Sequence, residues 1–146
     1  MNEAAHLKQP TILIADDYED NRELLRLLLV GANYEVREAS NGKDCLAMAL
    51  ERPPDLILMD LAMPGMDGWG VLRELKRNPM TARIPCMAVT ARETDRERAL
   101  ETGFNAYLSK PFRSNELFDI VSRMLSSSES NALSTQQQGS PSPLSD

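Results

Sequence analysis

The sequence predicts an α/β fold, an open parallel sheet of five strands covered by helices on both faces. Three observations predict it. Short apolar runs alternate with amphipathic stretches of helical period, which is the alternation that builds strand–helix–strand units. One run, residues 34–39, instead alternates apolar and charged side chains, the period of a half-exposed strand at a sheet edge. The remaining four runs each end on a charged or hydroxyl residue. Residues 12–15 lead into Asp16 and Asp17, residues 56–59 into Asp60, residues 86–89 into Thr90, and residues 106–108 through Ser109 into Lys110. Open α/β sheets place their ligands at the carboxyl ends of parallel strands.

The elements follow in order. Residues 19–32 read as a helix, with Leu24, Leu25, Leu28 and Leu29 on its buried face and Gly31 near its stop. A second helix spans residues 42–51 and is ended by Pro53 and Pro54. A third spans residues 67–77, closed by Asn78 and Pro79, and a fourth spans residues 94–102, with Gly103 as its cap. In the last helix Leu117, Ile120, Val121, Met124 and Leu125 fall at i, i+3, i+4, i+7 and i+8, one buried stripe. Right-handed crossovers leave few topologies open. The flavodoxin-like strand order 2-1-3-4-5 fits best, since it sends the exposed second strand to an edge and sets the apolar first and third strands side by side.

A chain of 146 residues, 42% of them apolar, suits one domain with an ordinary core. Residues 1–10 read as a polar leader, 11–125 as the domain, and 126–146 as a disordered tail. That tail is rich in Ser and Gln and too poor in apolar surface to offset ordering entropy. The formal charge of −6 argues against a nucleic-acid footprint, which needs a basic face. Cys45 and Cys86 lie in apolar runs without metal-ligand spacing and read as small buried hydrophobes. Neither a secretory signal nor a membrane span is legible, so the expected compartment is the cytoplasm.

The strand ends carry the chemistry. Three carboxylates in one place repel each other, and a divalent cation relieves that repulsion. Magnesium takes oxygen ligands and keeps several waters. Asp17 and Asp60 are placed to give it one oxygen each, and Asp16 to hold it through water. Asp60 is then free to act as a nucleophile toward phosphorus. Phosphoryl transfer depends mostly on positioning and on stabilising the equatorial oxygens. The Thr90 hydroxyl and the Lys110 ammonium suit two of those oxygens.

Asp16-Asp17, Asp60 within the run from Leu58 to Gly68, Thr90-Ala91 and Lys110-Pro111 resemble the motifs of two-component receiver domains. The likeness runs over residues 11–125. It implies that Asp60 is the phosphoacceptor, supplied by a histidine kinase or a histidine phosphotransfer protein. It implies a magnesium site at Asp16, Asp17, Asp60 and the backbone carbonyl of Ala62, with Thr90 as the switch hydroxyl and Lys110 as the phosphate-binding cation. It also implies a cis Lys110–Pro111 bond. Tyr107 stands where, in the family, an aromatic ring turns inward as the threonine moves; on residues alone it is equally a half-exposed aromatic on an edge strand. The implied output surface combines the fourth helix, fifth strand and fifth helix. The residues leave open whether phosphorylation drives a homodimer.

No DNA-binding helix pair or enzymatic domain is read after Leu125, so the expectation is a stand-alone receiver that switches a protein contact. It would assist its own phosphorylation and dephosphorylation only. The alternatives are a phosphorelay intermediate and a scaffold independent of phosphorylation. An aspartate-nucleophile phosphatase would need a second acid two residues past the nucleophile, where this chain has Ala62. Arg92, two residues past Thr90, reads either as a screen for the acyl phosphate or as a partner-binding residue. The 60–68 segment fails as a calcium loop because Ala62 and Pro64 stand at ligand positions, and no glycine-rich phosphate loop is present. Trp69 reads as a packing residue.

Overall fold

Strands β1 (Thr11–Ala15), β2 (Glu35–Ala39), β3 (Leu56–Met59), β4 (Cys86–Thr90) and β5 (Ala106–Ser109) form one parallel sheet in the order β2-β1-β3-β4-β5. They alternate with α1 (Glu19–Gly31), α2 (Gly42–Glu51), α3 (Gly68–Arg77), α4 (Arg96–Thr102) and α5 (Ser114–Gln137). The computed structural model describes residues 9–137, with side chains through residue 126. Residues 1–8 of the leader, including His6, and residues 138–146 of the tail lie outside the described residues.

Strand geometry divides the core in two, because successive side chains point to opposite faces. On one face Leu13, Ile57, Met59, Cys86 and Ala88 pack with Cys45 and Ala49 of α2, Val71, Leu72 and Leu75 of α3, and Ala99 of α4. On the other, Ile12, Ile14, Leu56, Leu58, Met87 and Val89 pack with Leu25 and Leu29 of α1 and with Leu117 and Val121 of α5. β1, β3 and β4 are therefore buried on both sides, whereas β2 keeps an exposed or half-exposed face at the edge. Both cysteines are free and buried. Burial pushes each thiol up to about 12, with the neighbouring Cys86 adding to the effect at Cys45, so neither is a nucleophile at neutral pH.

The helix ends show how local chemistry sets the boundaries. Asn41 caps α2 by accepting the Asp44 N–H at 2.8 Å, and Asp67 caps α3 by accepting the Gly70 N–H at 2.9 Å. Asp67 thus precedes the helix that the sequence starts there. The stop of α1 is not made by Gly31. Asn33 adopts the left-handed conformation at φ 78°, the Tyr34 N–H reaches the Leu29 carbonyl and the Asn33 N–H reaches that of Val30, the two bonds of a Schellman cap. The segment read as one helix over 94–102 opens with a 3-10 turn at Glu93–Asp95 before α4, and Gly103 closes it at φ 133°.

Two expectations are corrected. Leu24, assigned to the buried face of α1, is 51% exposed. The buried stripe is centred on Leu25 and Leu29, and a residue one position before Leu25 is rotated about 100° from it. Helix α5 also runs past Leu125 to Gln137. Residues 126–137 contain no Gly or Pro, and extending an existing helix adds a hydrogen bond for each residue fixed. Scarcity of apolar residues bears on packing, and it does not by itself end a helix.

One glycine ties α2 to the loop between β3 and α3. A Cβ on Gly42 would lie 2.1 Å from the Met66 carbonyl oxygen and 2.9 Å from Val71 Cγ2. In an open helix Gly→Ala stabilises by about 0.5–1 kcal/mol. Here overpacking against backbone reverses the sign, and Gly42→Ala is expected to cost about 1–3 kcal/mol, seen as a lower urea midpoint at unchanged slope. A raised midpoint would show that the loop yields freely.

Candidate functional site

The backbone bonds of the sheet continue one step past the strand ends and hold the site residues. The Asp16 N–H donates to the Ala39 carbonyl at 3.2 Å, the Asp60 N–H to Ala15 at 3.0 Å, and the Lys110 N–H to Thr90 at 2.9 Å. Each functional residue is stitched to the neighbouring strand, so their relative positions follow from sheet register. The Lys110–Pro111 bond that follows β5 is cis.

At the centre of this edge, the Lys110 ammonium lies between two carboxylates. Its Nζ donates to Asp16 Oδ2 at 2.8 Å and to Asp60 Oδ2 at 2.9 Å. The remaining oxygen of each acid accepts a backbone N–H two residues on, from Tyr18 at 2.9 Å for Asp16 and from Ala62 at 3.0 Å for Asp60. Both carboxylates are thereby oriented. Asp16 is buried, Asp60 is partly open to solvent, and Asp17 is exposed at the rim. Burial acts to lower the Lys110 pKa, but the hydrogen bonds and charges of Asp16 and Asp60 outweigh it and raise it above the ordinary value.

Thr90 is buried at the end of β4, and its Oγ1 accepts the Arg92 N–H at 3.5 Å. The Arg92 carbonyl in turn accepts the Tyr107 hydroxyl. Tyr107 is buried, not half-exposed as its edge strand suggested, with Arg96 stacked over its ring at 5.9 Å. Burial, with Asp95 and Glu93 nearby, raises the phenol pKa. Thr90, Arg92 and Tyr107 thus form a hydrogen-bonded chain from the site to the β5 edge. The Arg92 side chain is exposed, pairs with Asp95 at 3.3 Å, and lines a hollow with Ala62, two residues past Asp60.

Three contributors escaped the sequence reading or were left open by it. A Cβ on Gly68 would lie 2.6 Å from the Asp60 carbonyl oxygen, so the close approach of backbone requires glycine there. Arg22 donates to the Asp16 carbonyl at 2.9 Å and pairs with Glu38 at 3.2 Å. No linear signal marks it, because its partners come from two other segments. An apolar cavity of about 350 Å³, lined by Asn21, Leu24, Leu25, Ala91, Pro111 and Phe112, opens beside Lys110.

The oxygen donors at this edge fit a magnesium ion. Carboxylate and carbonyl oxygens are its ligands, and one or two carboxylates suffice because the ion keeps waters. Among the described residues no three acidic, His or Cys side chains are gathered closely enough to enclose an ion unaided. The structure brings together Asp16, Asp60 and Lys110, with Thr90 and Ala62 on adjoining segments. Asp17 makes no side-chain bond with them. No described helix is long and apolar enough to cross a membrane.

The chain is similar to known proteins in sequence and in fold. Residues 12–122 match the response regulator receiver domain family. The chain is 45% identical over 109 residues to the response regulator PleD of Caulobacter vibrioides, covering 73% of this chain and 24% of that protein. It is 40% identical over 117 residues to an uncharacterized 14.6 kDa protein of Leptolyngbya boryana, covering 79% and 89%. Against the phosphate regulon regulator PhoB of Pseudomonas aeruginosa it is 41% identical, covering 73% and 48%. The chain therefore spans about half or less of the length of PleD and PhoB.

Among solved structures, a response regulator from Chloroflexus aurantiacus superposes with a TM-score of 0.78 at 35% identity, covering 82% of this chain and 99% of that one. The receiver domain of the Pseudomonas aeruginosa sensor kinase PA1611, with magnesium coordinated in its active-site cleft, superposes at 0.76 with 32% identity, covering 82% and 99%. The chain belongs to the response regulator receiver domain family of two-component systems. Receiver domains of this family act as phosphoacceptor switches on an aspartate, bind magnesium in the active site, and interact with histidine kinases or phosphotransfer proteins.

The raised Lys110 pKa gives a pH dependence with a defined sign. Its stabilisation is complete below the ordinary lysine value of 10.5 and is lost as pH rises through the higher value of the folded state. The urea midpoint of the native chain should therefore fall as pH rises above about 10.5, and Lys110→Met should lose part of that alkaline slope. Equal slopes in the two proteins would show that the ammonium is not coupled to folding.

Proposed function

We propose that this chain accepts a phosphoryl group on Asp60 from a histidine kinase or histidine phosphotransfer protein, and that the acyl phosphate switches a protein-binding face. The observation that carries this reading is the shared Lys110 ammonium, which orients the Asp60 carboxylate at the open edge of the sheet. An Asp60 oxygen attacks phosphorus, the P–N bond of the donor phosphohistidine breaks, and the imidazole leaves with the electron pair. Lys110 then follows the charge from the carboxylate to a phosphoryl oxygen, and the Thr90 hydroxyl donates to another. Asp17, Asp60 and the Ala62 carbonyl would hold magnesium, with Asp16 acting through water. When bound, the ion offsets the repulsion between the carboxylate and the incoming phosphoryl group.

The switch in this reading is the chain Thr90–Arg92–Tyr107. Engaging the Thr90 hydroxyl competes with its contact to the Arg92 N–H, and Arg92 also holds the Tyr107 hydroxyl. The readout face is α4, β5 and α5, where Arg96, Tyr107, Ser109, Ile120 and Arg123 line a surface hollow of about 410 Å³. Its partner is another protein or a second copy of this chain. The donor protein is assigned to the neighbouring rim, since the apolar cavity at Leu24, Pro111 and Phe112 shares Lys110 with the site. Ala62, where a phosphatase needs an acid, supports a phosphoryl group that is retained rather than turned over, and the cytoplasm suits a kinase-fed switch.

Incubation with acetyl phosphate and magnesium should add the mass of one phosphoryl group to the intact chain, and Asp60→Ala should abolish the addition. No adduct on the native chain would favour a phosphorylation-independent scaffold, and rapid consumption of the donor without an adduct would favour a phosphatase. Removing the exposed guanidinium that covers the Ala62 side should admit water. Arg92→Ala is expected to speed decay of phospho-Asp60 by about threefold or more, an effect the size of a surface charge contact. An unchanged decay rate would take Arg92 out of the mechanism.

A further inference from the structure

The chain carries a net charge of −6, yet one groove between α3 and α4 presents only cations. Its lining comprises Arg73, Lys76, Arg77 and Arg98 above an apolar floor of Trp69 and Leu72, with Thr102 at one side and no carboxylate. Arg77 is paired with Glu74 at 3.2 Å. Among the described residues Arg73, Lys76 and Arg98 have no ion-pair partner. Lys76 Nζ donates only to the Ala82 carbonyl at 3.3 Å, and Arg98 lies over the Trp69 ring at 4.2 Å.

Helix chemistry accounts for part of this. Lys76 and Arg77 stand in the last turn of α3, where cations favour the negative end of the helix. It does not account for Arg73, in the middle of α3, or Arg98, in the middle of α4. These two approach the same hollow from different helices, and like charges gathered there without acids repel one another. An anion in the groove relieves that repulsion. The hollow measures about 390 Å³, within the range of small-ligand sites. Planar guanidinium groups match phosphate oxygens in two-point contacts, and Lys76 adds a flexible point charge.

We infer that the α3–α4 groove binds a small ligand through two or more linked phosphate groups, held by Arg73, Lys76, Arg77 and Arg98. This site is separate from the Asp60 edge and does not rest on phosphorylation there. Trp69 forms a wall of both the groove and the hollow beside Ala62, and it is the sole tryptophan, so it reports occupancy directly.

The test is titration of the native chain with tripolyphosphate, without magnesium and near physiological salt, followed by Trp69 fluorescence and by calorimetry. Saturable one-to-one binding with Kd below about 1 mM is expected. Arg73→Ala and Lys76→Ala, both at exposed positions that keep Trp69 and Arg98, should each weaken it by about tenfold, as loss of a charged hydrogen bond does. Lys43→Ala, at an exposed position on α2 and with its urea midpoint checked like the others, should leave affinity unchanged. A parallel titration with a purine nucleoside triphosphate separates sources: equal affinity assigns the site to oligophosphate alone, and tighter binding assigns it to a nucleotide. Absence of saturation, native affinity in Arg73→Ala, or equal weakening by Lys43→Ala would overturn the proposal, the last by showing diffuse attraction only.

Discussion

Two carboxylates brought together at a sheet edge need a counter-charge, and in this chain the Lys110 ammonium supplies it to Asp16 and Asp60 at once. Much of the structure serves that contact. Asp16 directly follows β1, Asp60 follows β3 and Lys110 follows β5, so the three meet only if those strands are parallel and in register. The interaction is also poised. Removing one member of a partly buried ionic group leaves the others uncompensated, and a phosphoryl group arriving on Asp60 would change the charge to which Lys110 responds.

Register is set by the core rather than by the polar groups. β1, β3 and β4 are apolar on both faces, and slipping any of them by one residue would exchange the partners of every side chain at once. The polar residues are carried one position beyond the apolar run, where the ladder bonds to Ala39, Ala15 and Thr90 still hold the backbone. The site therefore inherits its precision from packing several residues away. Gly42 and Gly68 extend that control to the loop after Asp60, because side chains there would collide with the Met66 and Asp60 carbonyls.

The same architecture distributes different surface chemistry around one edge. Beside Lys110 the rim is apolar, between α3 and α4 it is cationic, and at α4, β5 and α5 acids and bases are mixed. Each surface is assembled from segments distant in sequence. Such a domain can present distinct faces to a phosphate donor, an output partner and a small anion without enlarging its core.

What the residues determined alone was the sheet, its order and the chemical cast of its C-terminal edge. Alternation of apolar runs with helical stripes is a local signal, and a polar residue closing an apolar run is visible in one dimension. Helix ends were partly legible. Gly103 caps as read, whereas Asn33 rather than Gly31 turns α1, because the choice rests on a backbone conformation that both residues can adopt. Tertiary structure alone decided that Lys110 bridges Asp16 and Asp60, that Asp17 faces solvent, that Leu24 is exposed and that Tyr107 is buried against Arg92. Those outcomes depend on which strands and helices become neighbours, and a contact between distant segments leaves no trace in the spacing of either one.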